Sequence, residues 1–183
     1  MKLTDALTHL LITVLLSLCY ALSFEAVKTL SNPVQALLGL ANPQASLLFF
    51  PHGVRVVAAY LFGWRSVAYL FPVKLCYATW VFPEAELAAQ AVTALTAQIG
   101  CVLAFVCMAK LGIIARDWTC AMMPWKSLLI CGCAAAAFNA LFVFLLSNYS
   151  SFATAKHFLG DIAGLASVMV IFMAGFRAWR LRA

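Results

Sequence analysis

Charge is what this sequence has least of. Asp and Glu together supply 6 of 183 residues and Lys and Arg 12, so only 10% of the chain carries a charged side chain. A globular domain carries about a quarter, and a chain this poor in solvated groups cannot clothe itself against water. No hydrophilic stretch is long enough to form a separate soluble domain. Catalytic signatures are missing as well: there is no Ser/His/Asp set, no His-Glu-x-x-His, no P-loop and no paired carboxylates. The seven cysteines (19, 76, 101, 107, 120, 131 and 133) include no Cys-x-x-Cys pair and no Cys/His zinc spacing. Nearly all lie inside apolar runs, where a thiol packs as a small hydrophobe. Enzymatic chemistry, a metal and a cofactor are therefore not expected.

What the chain has is apolar surface: 66% of residues are hydrophobic and mean hydropathy is +1.00. Apolar runs of transmembrane length recur, which makes this an integral membrane protein rather than an anchored soluble one. The reading is one membrane domain, 1–183, all-α and polytopic. Its six transmembrane helices fall at about 6–24, 46–62, 67–82, 87–109, 127–146 and 158–176. The first stretch has the outline of a secretory leader, Lys2 followed by apolar and then small residues. Asp5 and His9 sit poorly in a leader, and further spans follow, so it reads as a retained helix closed by Glu25 and Lys28. A short interfacial helix comes next, with Asn32 as its cap, Pro33 in the first turn and Gly39 past its end. Val34, Leu37, Leu38 and Ala41 share one face of it, as suits a helix lying at the membrane surface.

Net charge is +6, and in a membrane chain the positions of the cations matter more than the sum. Six spans put Lys2, Arg65, Lys110, Arg116, Lys126, Arg177, Arg180 and Arg182 on one side. Lys28 and Lys156 fall on the other, with Glu25, Glu84 and Glu86. By the positive-inside rule both termini are cytoplasmic, and nucleic acid is not an expected partner.

Within the spans a few polar residues stand out. Arg55 lies in an otherwise apolar run, where a charge at mid-depth costs roughly 2.5 kcal/mol or more unless it faces protein or water. Counting along alternating helices places Arg55, Lys74, Gln98 and Asn139 near mid-depth. Asp161 comes about one turn inside the outer edge, with His52 and His157 at a similar level. One internal cluster follows, with Arg55 and Asp161 as its ion pair. It is a clamp between the second and sixth spans, an outward-open pocket whose surplus positive charge receives a small anionic or carbonyl-bearing ligand, or a place where a partner subunit's acid reaches Arg55. His52 and His157 are the histidines nearest one level, but no haem or pigment is expected. Pro51 and Gly53 kink the second span, or the chain upstream of them is unwound and shielded by protein. Gly160 and Gly164, four apart, form a small-xxx-small surface for close helix packing.

The run PHGVRVVAAYLFGWRSVAYLFP, followed later by FLGDIAGLASVMV, resembles the membrane-associated sensor domain found ahead of bacterial diguanylate cyclases and histidine kinases. Pro51 and Gly53 match its Pro-x-Gly helix start, Gly63 to Arg65 its GWR-like turn, and Gly160, Asp161 and Gly164 its Gly-Asp-x-x-Gly motif. The resemblance covers about 46–176. Arg55 departs from a helix that is apolar in the family, and no cyclase or kinase follows Ala183. The resemblance implies a non-catalytic sensory or regulatory module in the bacterial inner membrane, acting through a membrane protein partner or a homo-oligomer. The alternatives are an accessory or assembly subunit of a larger photosynthetic or respiratory complex, and a small oligomeric transporter using the Arg55 pocket.

Overall fold

The computed structural model describes residues 3–40, 46–81, 83–146 and 150–181, and among these every regular element is helical. The helices are α1 (Leu3–Ala26), α2 (Asn32–Leu37), α3 (Phe50–Phe62), α4 (Arg65–Val81), α5 (Leu87–Lys110), α6 (Trp125–Leu146) and α7 (Ser151–Arg180). One π-helical turn, Val27–Ser31, joins α1 to α2.

Six rods alternate in direction, and contacts at the two ends show the order. At one end α1 meets the close of α4: Lys28 Nζ lies 3.7 Å above the centre of the Trp80 ring, and Tyr77 Oη donates to Glu25 Oε1 at 3.4 Å. Lys156, near the start of α7, donates to the Leu40 carbonyl at that same end. At the opposite end the α5–α6 loop folds against the close of α3. Tyr60 Oη donates to the Ala121 carbonyl (3.1 Å) and Trp118 Nε1 to the Ala59 carbonyl (3.4 Å). The basic residues 65, 110, 116, 126, 177 and 180 lie at or near helix ends that fall at this second end.

Among the described residues, four helical stretches are long and apolar enough to cross a membrane: Thr4–Leu37, Leu87–Lys110, Trp125–Leu146 and Ser151–Arg180. Only four of the six expected spans are therefore helices long and apolar enough to cross by themselves, and the shortfall lies in the second and third. The 13 residues of α3 rise about 20 Å and the 17 of α4 about 25 Å, against roughly 30 Å of hydrocarbon. The second span does not run as a helix from 46. It is non-helical at 46–49 and turns helical only at Phe50, with Pro51 in the first turn, where its missing N–H costs nothing.

The first helix does not stop at Glu25 and Lys28 either. That pair forms an i,i+3 bridge at 2.9 Å, and the π turn carries the backbone hydrogen bonding through to α2. The separate interfacial helix is therefore an extension of α1, and Asn32 is its first helical residue rather than its cap. Val34, Leu37 and Leu38 are exposed, as an outward apolar face requires; Ala41 lies outside the described residues. Gly39 closes the element at φ +67°, a left-handed position glycine occupies without a Cβ penalty. At the other end of the chain the last span lengthens to 30 residues, opened by Ser150, whose Oγ accepts the Ala153 N–H at 3.2 Å.

Two apolar clusters hold the bundle. Val56, Cys101, Phe105, Cys131 and Leu165 join α3, α5, α6 and α7, while Tyr20, Ala58 and Leu70 join α1, α3 and α4. Small residues bring the rods close: a β-carbon on Gly132 of α6 would stand 2.0 Å from Leu165 Cδ2 of α7. Apolar burial gains little where the surroundings are hydrocarbon, so close packing of this kind carries the association.

Candidate polar site around Arg55 and Asp161

The site begins with a backbone problem. Residues 46–49 are not helical, so their N–H and C=O groups need partners, and buried polar side chains of α1–α2 supply them. Gln35 reaches over: its Oε1 accepts the Leu47 N–H at 2.9 Å and its Nε2 donates to Ser46 Oγ at 2.9 Å. Ser31 Oγ and Ser46 Oγ are 2.7 Å apart. The Phe49 N–H donates to the carbonyl of Gly160 on α7 at 2.9 Å. This is the unwound, protein-shielded alternative for the Pro51 region, not a kink.

The glycines make that crossing possible. A β-carbon on Gly160 would sit 1.9 Å from the Ser46 carbonyl oxygen, and one on Gly164 would sit 2.0 Å from that of Phe49. The pair was expected to pack helix on helix; instead it seats a non-helical strand of backbone. Gly53 serves the helix–helix contact, since a β-carbon there would meet Val168 of α7 at 2.7 Å.

With 46–49 seated, the first two turns of α3 point His52 and Arg55 at α7 and α6. Arg55 Nη2 lies 3.3 Å from Asp161 Oδ1 and 3.0 Å from His52 Nδ1. His52 Nε2 faces the Gly132 carbonyl at 3.1 Å. Asn139 Nδ2 donates to Asp161 Oδ2 at 2.6 Å and lies 3.0 Å from His157 Nε2. A carbonyl only accepts, so His52 Nε2 carries a hydrogen. A guanidinium only donates, so Nδ1 is the acceptor. On these contacts the imidazole is neutral and Asp161 is the anion that balances Arg55. Phe49 closes the top: its ring centre is 5.8 Å from Arg55 Cζ and 5.9 Å from the His157 ring.

Five of the seven polar residues singled out from the sequence thus form one network on α3, α6 and α7: His52, Arg55, Asn139, His157 and Asp161. Lys74 and Gln98 are not bonded to it. Lys74 donates to the Ala94 carbonyl of α5, and Gln98 Nε2 donates to Ser66 Oγ at 3.0 Å, so both fasten α4 to α5. The network is closed rather than open outward, with His52 and Asp161 0% and Arg55 3% exposed. Both His52 nitrogens are engaged in these hydrogen bonds.

Sequence reasoning missed Ser31, Gln35, Ser46, Ser66 and Lys156. Gln35 lies within what read as a surface helix, where water is the default partner of a polar side chain. Its one pointer was the nearby unwound stretch, whose amide groups would need a donor and an acceptor. No family model, curated protein or solved structure matches the chain.

Proposed function

We propose that the chain is a non-catalytic, multi-pass membrane module of the sensory or regulatory type, working through α7. The observation that carries this reading is that one helix joins two unlike regions. Near its start, Asp161 is the anion of the buried network and Gly160 and Gly164 seat residues 46–49. At its far end, residues 170–181 are exposed on every side. A change in charge or hydrogen bonding at Asp161 alters how 46–49 and α3 sit on α7, and a rigid helix delivers that change to its free end. The likeness of its motifs to membrane-associated sensor domains supports the same reading, with a membrane protein partner or a second copy receiving the end of α7.

Six crossings of a bacterial inner membrane, with both termini cytoplasmic, fit this role. The second crossing is composite: α3 gives about 20 Å and residues 46–49 up to about 13 Å more, enough for the hydrocarbon. Its non-helical part is tolerable because protein groups satisfy the backbone. An impermeant thiol reagent will label Trp64→Cys, above the wild-type background, in inside-out vesicles. Labelling only from the opposite face would remove this topology.

A reporter that depends on dimer geometry, such as a diguanylate cyclase catalytic domain, tests the signalling role. It is joined after Ala183 through linkers lengthened one residue at a time. Its activity will differ between the wild-type sequence and Asp161→Asn at one or more linker lengths. Equal activity at every length, with both proteins folded in the membrane, would sink the proposal.

A further inference from the structure

At the basic end of the bundle the close of α5 and the loop after it enclose a recess of about 420 Å³, lined by Val106, Ala109, Lys110, Arg116 and Trp118. Its composition is divided: apolar side chains below, an indole wall and two cations. The wall is fixed. Trp118 Nε1 donates to the Ala59 carbonyl at 3.4 Å, and its ring stacks on Phe105 with centres 5.9 Å apart. The cations are not spent internally. Among the described residues neither Lys110 nor Arg116 forms an ion pair with a carboxylate. Asp117, next in sequence, is exposed and contributes its backbone carbonyl to a turn, accepting Cys120 N–H at 2.8 Å.

The end of α5 does not compete for the cations. Gly112, at φ +71°, turns the chain so that the N–H groups of Leu111, Gly112 and Ile113 take the carbonyls of Cys107, Ala109 and Met108. Such a cap satisfies carbonyls that would otherwise present negative charge at the helix terminus.

We propose that this recess binds the phosphate of an anionic phospholipid. A guanidinium meets two phosphate oxygens side by side, and an ammonium adds a point charge. Basic clusters at the cytoplasmic boundary of a membrane protein attract anionic headgroups. A lipid fits better than a soluble phosphate because Leu111 and Ile113, which follow Lys110 in the chain and are 70% and 46% exposed, offer an acyl chain apolar surface beside the cations. The site does not depend on a signalling role for α7.

The test uses the full chain in mild detergent with added phosphatidylglycerol, read by native mass spectrometry. Phosphatidylcholine is the neutral comparison, and a thermal-shift arm uses inorganic phosphate. The variants are Lys110→Gln/Arg116→Gln and, at the same end, Lys126→Gln/Arg180→Gln. All four side chains are exposed, and circular dichroism checks that each protein stays helical. Phosphatidylglycerol will be retained over phosphatidylcholine, and its retention will fall about tenfold in the first variant while holding in the second. Equal loss in both variants would mean a diffuse surface charge and overturn the site, as would no loss in the first. Equal protection by inorganic phosphate would overturn the lipid assignment in favour of a soluble anion.

Discussion

The carbonyl oxygen of Phe49 lies so close over Gly164 that a β-carbon built there would stand 2.0 Å from it. One turn earlier on the same helix, Gly160 accepts the N–H of that same residue at 2.9 Å. Two glycines of α7 thus form a seat for a stretch of backbone that has left helical geometry, and the seat sets how deep His52 and Arg55 enter the bundle. Position along α7 and charge at Arg55 are coupled through this contact.

Substituting either glycine by alanine therefore asks backbone to move, not a flexible side chain. Gly160→Ala and Gly164→Ala will each destabilise the protein by about 1–3 kcal/mol or more, as overpacking does. Gly175→Ala is the control: nothing lies within 4 Å of the added carbon, and alanine is the better helix former by about 1 kcal/mol, so its melting temperature holds or rises. Thermal unfolding in detergent, followed by circular dichroism, separates the three. A Gly164→Ala protein melting with the wild type would show that the seat is loose.

Arg55 and Asp161, 3.3 Å apart and both buried, will not behave as independent sites. Removing one member of a buried pair leaves the other uncompensated and costs about 3–5 kcal/mol. Arg55→Gln and Asp161→Asn will each lower the melting temperature sharply, while the double variant will lose markedly less than the sum. Strictly additive losses would mean that the two charges do not compensate each other.

Much of this site was readable before any coordinates. An arginine in an apolar run must find an anion, and Asp161 was the one acid inside a later span, so Arg55 and Asp161 pointed to each other. Asn139 and His157 followed from depth counting. Lys74 and Gln98 were drawn in by the same counting, yet they face α5 and α4, because depth fixes height along a rod but not direction around it. The bounds of the second span failed for a related reason. Hydropathy scores 46–49 like any apolar helix, and only the carbonyl-to-glycine contacts and the reach of Gln35 show that this stretch is not one. The carbonyl-to-glycine contacts join residues more than a hundred positions apart, beyond any local pattern.

Gln35 is the residue on which the non-helical segment leans from the other side. Gln35→Leu keeps the volume but strips the Leu47 N–H of its acceptor at 2.9 Å and Ser46 Oγ of a donor. An unsatisfied buried amide costs about 1–3 kcal/mol. Amide exchange across 46–49 will quicken while exchange in α5 and α6 holds. Uniform quickening across all helices would instead mean that Gln35 supports the whole bundle.

The two buried cations make opposite demands, which gives the sharpest contrast available in this fold. Arg55 has a carboxylate; Lys74, 6% exposed, has among the described residues only the Ala94 carbonyl of α5. Replacing Lys74 by methionine removes a buried amine that no described carboxylate pairs with and keeps the unbranched shape. The Ala94 carbonyl loses a side-chain partner but is helical, with its lone pairs already shared along α5. Replacing a buried charge with apolar side chains of similar volume is often neutral or stabilising. Lys74→Met will therefore hold or raise the melting temperature. Arg55→Met, equally apolar, will lower it by the equivalent of about 3–5 kcal/mol, because Asp161 is left buried without its cation. Should Lys74→Met fall as far as Arg55→Met, Lys74 would be neutralising an anion inside the bundle, and the Ala94 carbonyl would not be its principal partner.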